Sequence, residues 1–306
     1  MTNSRPRPWA GVALGLILSV TTSLCVANPA TDLAQRVYDR PDGSIVLACG
    51  TMDLTEKGHP PRTRELFSYA RDNDQNDFWS LLRFTGPQNI AGTALLSENL
   101  GSGAEKQWVY LPALGRSRRI SSKRKGGRFV SSDLYYEDLQ DRKPSEDTHR
   151  IIGNEPCAGV TKACTLLESI PVNKKDSVYS KRVSWIDEST LIAMRIDLYE
   201  KGRDKPSKRF ETKKYKKIDG FWTIVDSVMT ELKSGHQTRT RLYRVIYDPT
   251  FSDHWDIDTS GGALFSRKTL EDEEREEGYR YPLVAKYVPN VGKDGLLAAE
   301  CEPDEQ

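Results

Sequence analysis

The sequence predicts a mainly antiparallel β protein, a barrel or a sandwich, and three observations carry that expectation. Apolar residues recur with a period of two over many short segments, turn signals separate those segments, and only two or three stretches show helical spacing. The chain has 306 residues, enough for a substantial core, with no fixed-period repeat and no low-complexity segment.

The opening segment carries Arg5 and Arg7, an apolar run from Trp9 to Val20 and a small-residue exit ending at Ala27. About a dozen apolar residues fall short of the ~20 that span a bilayer, so residues 1–27 read as a cleaved export signal. Cys25 follows Leu24, where an acylation site takes a small residue, so ordinary cleavage is the better reading. In ATDLAQRVYDRPDG, Leu33 and Val37 share one helical face before Pro41 and Gly43 stop the helix.

Strand signals then dominate. IVLACGTMDL and RELFSYAR flank an EKGHPPR turn. Leu82 with Phe84, and Trp108 with Tyr110, alternate at the strand period, while Gly86-Pro87, Gly92 and Pro112 mark ends and a short helix or loop over residues 86–92. DLYYEDL reads as a short helical turn, and RIIGN and TLLESIP continue the sheet around a cysteine loop. From Tyr179 to Tyr247 the hairpin signals are strong: YSKRVSWID meets LIAMRIDLYE across Asp187-Glu188-Ser189-Thr190, and RFETKKYKKI meets FWTIVDSVMTEL across Asp219-Gly220, a favoured two-residue turn. In LIAMRIDLYE, residues Ile192, Met194, Ile196 and Leu198 alternate with Arg195 and Asp197, which predicts one buried and one wet face.

Charge is balanced overall, with 45 basic and 44 acidic residues, but unevenly spread. RSRRISSKRKGGR places seven cations in thirteen residues: Arg116, Arg118, Arg119, Lys123, Arg124, Lys125 and Arg128. A mobile basic loop next to an apolar strand suits anionic headgroups or a partner surface and transient contact with a membrane. It lacks the interleaved aromatics of a nucleic-acid stacking platform, so no nucleic acid is expected. A second basic stretch, Lys201 to Lys217, reads as the exposed face of a hairpin protecting an edge strand. The acidic run LEDEEREEG reads as a solvated helix, or as a segment folded over the basic loop to screen it.

Beyond the leader four cysteines remain, Cys49, Cys157, Cys164 and Cys301, an even number in an oxidising compartment. Cys157 and Cys164 flank a short loop and read as a local disulfide. Cys49 with Cys301 would be the remaining pair, though three connectivities are open. No CxxC spacing exists, and His59, His149, His236 and His254 are scattered without ligand spacing, so neither a metal nor another cofactor is expected. GxSxG, HExxH, phosphate-loop and dinucleotide patterns are missing, and His254 among Asp253, Asp256 and Asp258 reads as turn chemistry, so no enzyme is expected.

The blocks RFTGPQNIAGTALL, QWVYLPALGRSRRI and DLYYEDL resemble those of the outer membrane lipoprotein-sorting proteins, the LolA-like group of exported lipid carriers, over about residues 31–270. The resemblance implies an incomplete antiparallel β-barrel, a curved sheet with a few short helices covering its concave face. It divides the chain into a β domain over residues 28–270 and an acidic segment with a tail over residues 271–306. It also implies a periplasmic carrier of a lipid or acylated protein, with an exporter of the resistance-nodulation-division type as a possible partner. Leu82, Phe84, Leu96, Trp108, Tyr110, Met194, Ile196, Trp222 and Ile224 are the residues then expected at an acyl-chain cavity, the aromatics and Met194 foremost. The alternative is an exported adaptor that binds a transporter or envelope protein and carries no lipid.

Overall fold

The computed structural model describes residues 28–73, 77–101, 105–160, 162–251 and 263–285. Helix α1 (Pro29–Tyr38) precedes β1 (Ile45–Thr55), β2 (Arg62–Asp72), β3 (Phe78–Gly86), β4 (Ala94–Asn99), β5 (Lys106–Leu111) and β6 (Arg116–Arg119). Then come β7 (Asp147–Glu155), β8 (Cys164–Pro171), β9 (Tyr179–Asp187), β10 (Ile192–Glu200), β11 (Lys208–Ile218), β12 (Phe221–Glu231) and β13 (Gln237–Tyr247), followed by α2 (Arg267–Glu271) and α3 (Glu277–Ala285). These strands form one antiparallel sheet of thirteen in the order β6-β5-β4-β3-β2-β1-β13-β12-β11-β10-β9-β8-β7.

Two meanders therefore meet in the middle, where β1 pairs with β13, and among the described residues no further strand pairs with either end of the sheet. Thirteen strands ~4.8 Å apart would span on the order of 60 Å if flat. Instead the sheet curls, because residues 120–146, which run from the β6 edge to the β7 edge, touch both meanders. On one side Gln107 of β5 donates to the carbonyls of Tyr136 (3.0 Å) and Leu139 (3.5 Å). On the other, Glu137 accepts from Ser177 Oγ (2.5 Å) and Val178 N–H (2.6 Å) ahead of β9. The sheet is an incomplete barrel, as the resemblance implied, and this crossover lies across its inner face.

Local chemistry explains the elements. Asn28 caps α1 by accepting from Ala30 N–H at 3.0 Å, Pro29 opens it, and Ala30, Leu33 and Ala34 are buried. The β11–β12 hairpin turns on Asp219 (φ 49°) and Gly220 (φ 95°), the two positive φ values that a two-residue turn matching strand twist requires. Cys157 and Cys164 form a disulfide with a Cα–Cα distance of 5.8 Å. Cys49 is also disulfide-bonded, and its expected partner Cys301 lies outside the described residues. So do the expected export signal and the His254 cluster.

Both faces of the first meander are filled. On the outer face Leu47, Phe67, Tyr69, Leu81 and Leu96 pack against Leu264, Leu270, Tyr279 and Leu283 of the C-terminal segment. A buried charge cluster fastens that segment: Arg83, 1% exposed, donates to Glu276 (2.6 Å) and to the carbonyls of Thr269 (2.8 Å) and Leu270 (3.1 Å), while Arg280 donates to Glu276 (3.1 Å). The acidic run is thus not a solvated helix, since Glu276 is fully buried. Only Glu271 reaches the basic strip, accepting from Ser117 N–H (3.1 Å) and Oγ (2.6 Å). On the inner face Met52, Leu54, Leu66, Phe84, Leu95 and Val109 pack around Phe129, which the crossover drives in. Its turn puts Val130 (φ 42°) and Ser131 (φ 65°) in the left-handed region, uncommon for a β-branched residue.

Two further expectations are corrected. Arg116–Arg119 form edge strand β6 rather than a loop, paired with β5 from Trp108↔Arg119 to Leu111↔Arg116. The second basic stretch protects no edge: β11 sits inside the sheet between β10 and β12, and Lys208 is fully buried.

Candidate functional site

The inner face of the second meander is not filled. Between it, α1 and the crossover lies a cavity of about 560 Å³, partly open to solvent. Helix α1 supplies Ala34, Val37 and Tyr38, and the crossover supplies Leu134 and Leu139. The floor is Leu167 of β8, Ile186 of β9, Ala193, Ile196 and Leu198 of β10, Phe210 of β11 and Met229 of β12. Phe210 and Met229 are directly paired across the β11–β12 ladder.

One wall is charged, and its charges answer one another. Arg182 pairs with Glu137, and its Nη1, 3.7 Å from Asp147, is buried without a hydrogen-bond partner. Arg142 holds Asp147 through two hydrogen bonds of 2.8 Å. His149 is fixed between Ser169 Oγ (2.9 Å) and the Pro144 carbonyl (2.8 Å). Asp138 accepts from Tyr179 Oη and Tyr135 N–H, both at 2.7 Å; burial pushes its carboxyl above the usual range, against the pull of Lys208.

Beneath the cavity the crossover is pinned to the sheet. Lys208 Nζ donates to the Asp133 carbonyl (2.6 Å), and Thr238 Oγ donates to the Asp133 carboxylate (2.8 Å). Burial lowers Lys208 to about 8, opposed by Asp138. The buried ammonium is offset there by that carbonyl, by the Asp138 carboxylate at 3.6 Å and by the ring face of Tyr135.

Of the nine residues expected at a cavity, Ile196 lines this one. Leu82 and Phe84 are on the inner face but belong to the filled half, with Phe84 stacked 5.7 Å from Phe129. Leu96, Trp108 and Tyr110 are on the outer face, packed in the cluster that the C-terminal segment covers. Met194, Trp222 and Ile224 are also on the outer face, in a cluster with Trp185 and Cys164. The reason for Met194 is a bulge: Ala193 pairs with Ile186 and Arg195 with Trp185, so Met194 is the unpaired extra residue and the facing of β10 switches there. Ile192 and Met194 consequently face outward, and Ile196 and Leu198 inward.

Of the seven cations, Arg128 is tied to Asp133 at 3.2 Å and stands apart from the other six. Among the lining residues that the sequence did not single out are Leu134, Arg182, Phe210 and Met229. Phe210 and Met229 carried a usable signal, as facing apolar positions in a legible hairpin.

Comparison with known proteins agrees with this architecture. A family model described as an uncharacterised protein matches residues 76–255, more than half of the chain. The structure of an outer membrane lipoprotein-sorting protein domain from Vibrio parahaemolyticus is similar at 26% identity and a TM-score of 0.70, covering 79% of this chain and 98% of that one. A DUF1329 family protein from Desulfovibrio piger is similar at 29% identity and a TM-score of 0.70, covering 78% and 97%. A LolA superfamily protein from Nitrosomonas europaea shares the fold at 15% identity and a TM-score of 0.56, covering 75% and 97%. Among curated protein sequences nothing matches. With that match, the chain belongs to the family of that model, and it shares its sheet with the outer membrane lipoprotein-sorting, DUF1329 and LolA superfamily structures.

Proposed function

We propose that this protein is a periplasmic carrier that holds the hydrocarbon of a lipid or acylated protein in the cavity beneath α1 and passes it on without making or breaking a bond. The observation that carries this reading is an apolar hollow of about 560 Å³ on the inner face of a sheet that does not close. At roughly 30 Å³ per methylene, similar to the share of a water in the liquid, that volume suits one long acyl chain or one compact polycyclic skeleton. Burial yields roughly 25 cal/mol per Å² of apolar surface, a gain that must stay moderate for a recipient to extract the chain. The charged wall is neutralised internally, so it orients a head without trapping it.

The basic strip is the face proposed for headgroup or partner contact and for transient approach to a membrane, with Arg116, Arg118, Arg119, Lys123, Arg124 and Lys125 forming it. A resistance-nodulation-division exporter as donor or recipient is supported by family resemblance, and export to the periplasm by the leader-like residues 1–27. Among the described residues no helix is long and apolar enough to cross a membrane.

Filling the cavity tests the carrier reading. Ile196→Trp should abolish uptake of a fluorescent fatty acid while changing stability by less than about 1.5 kcal/mol, because the indole enters existing space. Native mass spectrometry of the wild-type protein from the envelope should show a bound lipid that the variant lacks; unchanged uptake in the variant would refute the cavity as the site. A second reading, an adaptor without lipid, has one observation in its favour: edge strand β7 exposes Ile151 (40%) and Ile152 (42%), a template for pairing with another chain. Lipid-free protein from the envelope together with no probe uptake would select it.

A further inference from the structure

Many arginines of this chain meet carboxylates, among them Arg128–Asp133, Arg142–Asp147, Arg182–Glu137, Arg239–Asp226 and Arg241–Asp53. Arg116, Arg118, Arg119, Lys123, Arg124 and Lys125 are a cluster that does not. Among the described residues none of the six forms an ion pair, although Glu271 stands on β6 and bonds to Ser117. Five of them are exposed and Lys125 is half-buried. A run of like charges on one edge strand and the turn after it is mutually repulsive, so an incoming anion gains from all of them.

Three of these cations also surround a hollow. Arg118, Lys123 and Arg124 line a second cavity of about 500 Å³, whose apolar part is formed by Val109, Leu111, Ile120, Tyr136 and Val178. It lies in the seam where the β6 edge approaches the start of β9. The seam is closed at one point by Gly126: a Cβ there would stand 2.6 Å from Val178 Cγ1, so only glycine lets the crossover come this near the opposite meander. A single turn divides the two cavities. Tyr136 faces the seam, while its neighbours Glu137, Asp138 and Leu139 line the larger cavity.

We propose that the seam cavity is a separate binding site for an anionic amphiphile with a phosphate head. The head sits among Arg118, Lys123 and Arg124, and the adjoining hydrocarbon lies on Ile120, Leu111 and Val178. Two guanidinium forks and one ammonium offer donors from several directions, which suits a tetrahedral anion with several oxygens. A greasy floor directly beneath those cations selects a lipid over a free ion. The larger cavity does not compete for the head, because its arginines already hold Glu137 and Asp147. The site stands whether or not the larger cavity carries lipid.

The test is titration of the purified full chain with fluorescent lysophosphatidate, with zwitterionic lysophosphatidylcholine and inorganic phosphate as controls. The triple variant R118Q/K123Q/R124Q should weaken lysophosphatidate binding by about tenfold or more and flatten its salt dependence, with less than about threefold effect on lysophosphatidylcholine. Ile120→Gln should weaken lysophosphatidate as well, through the floor. Ile196→Trp should leave lysophosphatidate binding in place even where it abolishes fatty-acid uptake. All of these positions are exposed or half-buried, and equal thermal midpoints will show that the fold is intact. Undiminished binding by the triple variant would overturn the proposal. So would loss of lysophosphatidate binding in Ile196→Trp, which would put the lipid in the larger cavity. Inorganic phosphate competing as well as the whole lipid would overturn it too, leaving a free-anion site in its place.

Discussion

The two meanders are built from the same antiparallel strands, yet only one of them is filled from the inside. In β1–β6 the inner face receives Phe129 and Tyr136 from the crossover, and the outer face receives Leu264, Leu270 and Tyr279 from the C-terminal segment. In β7–β13 the same crossover stands off from the sheet, held by polar bonds to Lys208, Thr238 and Ser177, and leaves hollow the space that Phe129 occupies in the other half. A curved sheet has more inner face than one crossover can cover. Where the crossover contributes rings the result is core; where it contributes carboxylates on short tethers the result is a site.

The sharpest way to break this comparison is through the filled half. Arg83→Met leaves Glu276 buried with Arg280 alone and strands the Thr269 and Leu270 carbonyls, so it should cost about 4–5 kcal/mol in urea denaturation and leave fatty-acid uptake unchanged. Phe129→Ala should cost about 3–4 kcal/mol. It should also make the first meander resemble the second, so uptake of the apolar probe should rise. A fall in uptake would mean that the crossover, and not the empty space, determines binding.

Lys208 probes the other half through pH. Its folded pKa of about 8 lies below the ordinary lysine value of 10.5, so between these the unfolded chain binds a proton that the folded protein does not. Wild-type stability therefore gains with rising pH across that window, and the penalty is fully present below pH 8. Relative to Lys208→Met, which cannot titrate there, the wild type should gain about 2–3 kcal/mol from pH 8 to pH 10 in parallel denaturation series. An equal pH slope in the two proteins would show that the ammonium is solvated and the pin loose.

Much of the strand order was legible because it depends on local signals. The Asp219-Gly220 turn, the Cys157–Cys164 loop and the helix of Leu33 and Val37 each depend on neighbours in sequence. The faces were harder to read. Leu81 and Leu82, like Leu95 and Leu96, are adjacent apolar pairs that point to opposite sides, and both sides are covered, so alternation alone could not say which side is inner. In β10 the bulge at Met194 reverses a pattern that looks continuous in the sequence. Trp108 and Tyr110 were misplaced for a different reason: what covers them is a segment more than a hundred residues later, whose acidic composition disguises a buried Glu276.

The pairing of β1 with β13 has a consequence for how the molecule assembles. Every other ladder joins strands that follow one another along the chain, so each meander can form early from short-range contacts. The central ladder joins residues as distant as Met52 and Thr240, and of the ladders in the sheet it alone runs between the two halves. It faces the largest loop-closure entropy and should be the last to zip, so until then the newly made chain is two unpaired ribbons whose open inner edges invite capture by a chaperone or by one another.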